Sequence, residues 1–195
     1  MNEIRTGEQE ASEDVYFGQV VANWARWFII AAGIVLVLWT ATDASRLVVG
    51  IIPVVILMAV NFYLHGRIFA EKPANRALIT LASVLDIALI TVVVLFWPGA
   101  GGIDSVFFVM YYPVVLAFSF IMPPKVTLAY TLLAVVAYAG ASIIADQSIL
   151  MNFTDLESLV TRVITLGAMG VLGTYYWRTQ RNRRRAAVTT AAAKA

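Results

Sequence analysis

A chain of 195 residues that is 61% hydrophobic and only 13% charged cannot clothe a water-soluble globule of that size, because soluble domains carry about 25% charged residues. The absence of cysteine excludes disulfides, thiolate metal sites and a cysteine nucleophile. The formal net charge is +2, and its unevenness along the chain is more telling than its size.

Residues 1–21 hold Glu3, Glu8, Glu10, Glu13 and Asp14. A secretory leader opens basic and turns apolar at once, so this acidic stretch reads as a cytoplasmic segment before a retained span. Six apolar blocks follow, at about 22–41, 47–66, 76–97, 105–122, 125–145 and 156–178. Each is near the roughly 20 residues that cross about 30 Å of hydrocarbon as a helix. Membrane strands would show about 10 residues of alternating polarity, which these runs lack. The expected fold is all-α: a polytopic, six-transmembrane helical bundle over 22–178, with a basic, Ala-rich cytoplasmic tail over 179–195.

Span 1 has Trp24, Arg26 and Trp27 at one end and Trp39 at the other. Span 2 contains Pro53 and closes on Asn61, Tyr63, His65 and Arg67. Span 3 carries Asp86 at its middle and ends at Trp97. The glycine-rich loop Gly99–Phe108 leads into span 4, where Asp104 or Ser105 is placed to cap the helix. Pro113 lies inside span 4, and both it and Pro53 should kink or loosen their helices. Pro123-Pro124 turns the chain tightly, making spans 4 and 5 an antiparallel hairpin. Ala134, Ala137 and Ala141 on span 5, and Gly167, Gly170 and Gly173 on span 6, form small-residue stripes that suit close helix packing, within the bundle or in a homodimer. Trp177 closes span 6.

Lys and Arg set the orientation. Arg5, Arg26, Arg67, Lys72, Arg76, Lys125 and the run Arg178–Arg185 gather on one side, whereas the other holds only Arg46. Both termini are therefore expected in the cytoplasm of a bacterial inner membrane. The five tryptophans fall at predicted interfaces, where indoles are favoured. Arg181, Arg183, Arg184 and Arg185 are placed to meet anionic headgroups of the bilayer; because the run marks the inner end of a span, nucleic acid is not the expected partner.

Asp86 is the most informative residue, since a carboxylate at mid-membrane is costly and is commonly functional. It either faces the interior as a protonatable or ligand-contacting group or fixes packing by hydrogen bonding. Arg162, about two turns into span 6, has three candidate destinations: Asp86, Asp104 or the outer interface. Gly101, Gly102 and Ser105, beside Phe107, Tyr111 and Tyr112, combine amide donors with aromatic faces, which suits a flat ligand with carbonyl oxygens; an ordinary capped glycine turn is the plainer alternative. His65, the only histidine, reads as an interfacial polar residue. The residues suggest no catalytic set and no metal-ligand cluster.

The loop Gly101-Gly102-Ile103-Asp104-Ser105-Val106-Phe107, following Asp86 and preceding Tyr111 and Tyr112, resembles the six-span input region of bacterial sensor histidine kinases, the redox-responsive RegB/PrrB type above all. That group carries Gly-Gly-x-x-Asn-Pro-Phe, associated with quinone sensing. Gly101, Gly102 and Phe107 match, whereas Ser105 stands for Asn and Val106 for Pro. The resemblance implies a non-catalytic sensory input module of a two-component system, a quinone or other lipophilic ligand, and relay through the last span to a partner signalling protein or within a homodimer. The rival expectations are a structural subunit anchoring a larger membrane complex and, third, a small transporter or channel.

Overall fold

The computed structural model describes residues 7–70 and 74–192, with side chains described at 19–20, 23–70, 74–176 and 178–179. Among the described residues all regular structure is helical. Six α-helices follow in chain order: α1 (Gly7–Thr40), α2 (Ala44–Phe69), α3 (Arg76–Phe96), α4 (Tyr111–Ile121), α5 (Pro124–Ala145) and α6 (Phe153–Ala192). Short 3-10 turns occupy Gly102–Asp104, Val106–Met110 and Gln147–Leu150.

Among the described residues five helices contain a stretch long and apolar enough to cross a membrane: Asn23–Thr40 of α1, all of α2, α3 and α5, and Phe153–Tyr176 of α6. The fourth apolar segment, Val106–Ile121, is shorter and begins as 3-10 helix. Pro113 accounts for this. It has no N–H to give the Val109 carbonyl, as an α-helix would require, and the preceding turn tightens so that Tyr111 N–H reaches the Phe108 carbonyl. The 3-10 rise of about 2.0 Å per residue stretches the segment to about 27 Å, against about 24 Å for an all-α segment of equal length. Pro113 therefore sets where the α-helix starts and does not kink its middle, while α2 continues through Pro53 without ending.

The helix starts follow from local chemistry. Asp43 accepts from Arg46 N–H at 3.0 Å at the start of α2, and Asn75 accepts from Leu78 N–H at 2.8 Å at the start of α3. Asn152 accepts from Thr154 N–H at 3.2 Å as α6 begins. Ser105, not Asp104, caps the segment leading into α4, accepting from Phe107 N–H at 3.4 Å. Pro124 occupies the first turn of α5, where its missing donor costs nothing.

The helices pack as a ring in the order α1, α2, α3, α5, α6, α4, with α4 also touching α3 and α5. Tyr111, Val114, Val115, Phe118 and Ser119 of α4 are buried, and Phe120 is its only exposed residue. The perimeter carries exposed Phe28, Trp39, Leu81, Leu132 and Ile144, a surface suited to hydrocarbon and not to water. Two helices outrun a bilayer. At 1.5 Å per residue α1 is about 51 Å long and α6 about 60 Å. The expected boundary at residue 21 thus falls inside one continuous helix, and the expected tail continues α6 as helix to Ala192.

Candidate functional site

The buried face of α1 is the stripe Gln19, Asn23, Arg26, Ile30, Gly33 and Val37, spaced by three and four residues. Its first half is polar and its second apolar. Arg26 therefore points into the bundle and not toward the bilayer surface. Its Nε donates to Asp86 Oδ2 at 2.9 Å, and Nη2 lies 2.9 Å from the same oxygen. Nη2 also donates to Ser83 Oγ at 3.1 Å. Asp86 is ten residues from either end of α3, about 15 Å along the axis. The partner of Asp86 is therefore Arg26 of α1, and the considered pairing with Arg162 does not form.

Further polar groups extend this cluster. Tyr130 of α5 donates to the Ser83 carbonyl at 2.7 Å while stacking on Phe118, with ring centroids 3.9 Å apart. Gln19 brackets the backbone of Ala74, donating to its carbonyl and accepting from its N–H at 3.1 Å. Asn23 bonds His65 Nδ1, and Asn61 Nδ2 donates to the Asn23 carbonyl at 3.5 Å. A narrow cleft opens beside Gln19, Asn23 and Arg26. His65 is thus half-buried and tied to α1, not free at an interface. The sequence signal that would have found this cluster was the 19/23/26 spacing.

The glycine loop lies at the opposite end. Gly99 and Gly102 adopt positive φ, +77° and +64°. A Cβ on Gly102 would sit 2.8 Å from Ala145 Cβ and 3.1 Å from the Ser142 carbonyl, so the loop rests directly on α5. Ser105 is 1% exposed. Phe107 is buried against Trp97, with centroids 4.6 Å apart, so Trp97 serves the core and not the interface assigned to it. Tyr111 is buried, sharing a hydrogen bond of 2.7 Å with Thr91. Gly102, Ser105 and Phe107 are therefore engaged in packing, and the matched motif presents no accessible side-chain donor to a quinone. The nearest groove, between α1, α2 and α3, is lined by Gly33, Val37, Gly50, Pro53, Ile90 and Phe107 among others, all without side-chain donors.

Arg162 joins this loop to α6. Its Nη1 donates to the Ile103 carbonyl at 2.5 Å and to Tyr138 Oη at 3.0 Å, and its guanidinium carbon stands 3.9 Å from the Phe108 ring centroid. Tyr112 meets the same Phe108 edge-on at 5.9 Å. Of the expected site residues the structure thus gathers Arg162, Tyr112 and the loop backbone, while Asp86 belongs to the separate cluster around Arg26. The side chains of Arg181, Arg183, Arg184 and Arg185 lie outside the described ones, on helical backbone.

The small-residue stripes are used internally. Gly170 faces Thr131 and Gly173 faces Ser119 too closely for any side chain, whereas Gly167 faces open space. Ala134 and Ala141 are buried in the bundle. No family model, curated protein or solved structure matches the chain.

Proposed function

We propose that this chain is a membrane-embedded sensory input module without catalysis of its own, resembling the input region of sensor histidine kinases. It crosses a bacterial inner membrane six times, with both ends cytoplasmic. The fourth crossing is the composite Val106–Ile121 segment, whose length of about 27 Å approaches the hydrocarbon thickness. The basic residues at the ends of α2, α3 and α6 support the orientation.

One observation carries the reading. A single unbroken helix, α6, holds the glycine loop through Arg162 at one end and bears the arginine run at the other. Arg162 and Arg185 are separated by about 35 Å of continuous helix. A rotation or shift imposed at the loop end has no hinge in which to dissipate, so it arrives at the cytoplasmic end for a partner signalling protein or a second copy. The Arg26–Asp86 pair fixes the opposite flank, giving α6 something to move against. A lipophilic or amphiphilic ligand drives such a shift only through different affinities for two packings. The glycine stripe lends nothing to the rival reading as a scaffolding subunit, because Gly170 and Gly173 are occupied inside the bundle.

The natural absence of cysteine makes the tests direct. Single cysteines at Asp104, Asn152 and Lys125 are exposed to a membrane-impermeant maleimide on intact cells. Labelling at 104 and 152 but not at 125 is expected, and the reverse pattern overturns the orientation. Spin labels at Ala186 in reconstituted protein should then report a distance change on adding short-chain quinones or fatty acids. A distance that no ligand alters, in wild type and in Phe107→Ala alike, overturns the sensor reading.

A further inference from the structure

The guanidinium of Arg162 is held by one nitrogen only. Nη1 makes both of its hydrogen bonds, to neutral oxygens of Ile103 and Tyr138. Among the described residues Nε and Nη2 have no partner, yet neither is sealed from its surroundings. Arg162 makes no ion pair among the described residues, in contrast to Arg26 and Arg46. It lies about 14 Å along α6 from Phe153, within the apolar stretch. A cation there without a counter-charge is costly. The face left open, Nε with Nη2, is the planar fork that matches two oxygens of a carboxylate or phosphate.

We infer that the open fork of Arg162, walled by Phe108 and tied to the glycine loop, is a binding site for an anionic oxygen group, either a lipid headgroup phosphate or a free phosphate or carboxylate. The ring of Phe108 covers one face of the guanidinium and fixes its plane, so the fork is oriented before the anion arrives. Asp104 is the internal competitor. It is exposed and adjacent to Ile103, but its carboxylate does not pair with Arg162. The inference deepens the sensor reading by giving the ligand a charge, and rests on it only for the transmission of occupancy along α6.

The test uses the full chain in a neutral detergent. Thermal unfolding is followed against inorganic phosphate, short-chain phosphatidylglycerol and, as the phosphate-free lipid control, a short-chain diacylglycerol. Saturable stabilisation by phosphate or phosphatidylglycerol, lost in Arg162→Gln, supports the site; the active one of the two identifies a free anion or a lipid as its source. Arg162→Lys should bind at least about tenfold more weakly, because an ammonium cannot fill both oxygens in the plane. If Arg162→Gln does not fold, Arg162→Lys carries the comparison. Equal responses from wild type and the Arg162 variant place the binding elsewhere on the protein and overturn the inference. So does a response confined to Asp104→Asn, which makes Asp104 the counter-ion. Binding that depends on Arg162 without any movement at Ala186 leaves the site standing and counts against the sensor reading.

Discussion

The Arg26–Asp86 pair makes an asymmetric prediction. Both side chains are more than nine-tenths buried, and the arginine uses two nitrogens on one carboxylate oxygen. Removing one partner of such a pair costs about 3–5 kcal/mol, most of it the burden of the charge left behind. The two leftovers differ. A lone carboxyl can take up a proton and become neutral, whereas a lone guanidinium cannot. Asp86→Asn, which strands Arg26, should therefore approach the upper part of that range. Arg26→Met, which strands Asp86, should cost less. The double variant Arg26→Met/Asp86→Leu, with no buried charge, should recover to within about 1–2 kcal/mol of wild type, because a well-packed apolar pair often matches an ionic one. The assay is reversible unfolding in mixed micelles, arranged as a double-variant cycle. Additive losses, or Arg26→Met proving the worse single change, would refute the reasoning, since either would mean that the pair is not charged and coupled.

Gly102→Ala should lower the midpoint of thermal unfolding, combining about 1–2 kcal/mol for the left-handed backbone with contact against Ala145; limited proteolysis of the loop provides a second readout. Gly173→Ala should destabilise by forcing α6 away from Ser119, whereas Gly167→Ala, which faces open space, should be neutral or stabilising by up to about 1 kcal/mol, as both variants measured side by side will show. The Ser148 hydrogen bonds to Asp146 hold its carboxyl below the usual 3.8, and the Arg46 N–H does the same for Asp43. Their folded values are depressed, so the caps contribute above the unfolded value and are lost as pH falls through and below it. Hydrogen exchange at the Arg46 and Ser148 amides should accelerate relative to the intrinsic rate on acidification toward pH 3, and alanine at 43 or 146 should abolish that dependence.

Hydropathy located the apolar helices because burial in hydrocarbon acts on stretches of about 20 residues and needs no knowledge of neighbours. It failed where a single side chain's direction mattered. Arg26, flanked by Trp24 and Trp27, carried the marks of an interface residue. Only its membership in the stripe with Gln19 and Asn23 shows that it turns inward. Trp97 misled in the same way, because an indole at the end of an apolar run suits the interface and a core contact with Phe107 equally well. That the segment into α4 is capped was readable from local chemistry down to Asp104 or Ser105, and the structure uses Ser105. The fate of the loop motif was not readable, because whether Gly102 and Phe107 face a ligand or a helix depends on α5 and Trp97, which are distant in sequence.

The burial of α4 has a consequence for how the protein responds to its bilayer. Hydrophobic mismatch acts on helices in proportion to the surface they give to lipid, and α4 gives only one edge, with Phe120 exposed and Leu116 and Ala117 half-buried. A thicker or thinner membrane would therefore strain the other five helices of the ring more than α4. Tilt of those helices past a less responsive neighbour is then the bundle's natural mode of adjustment.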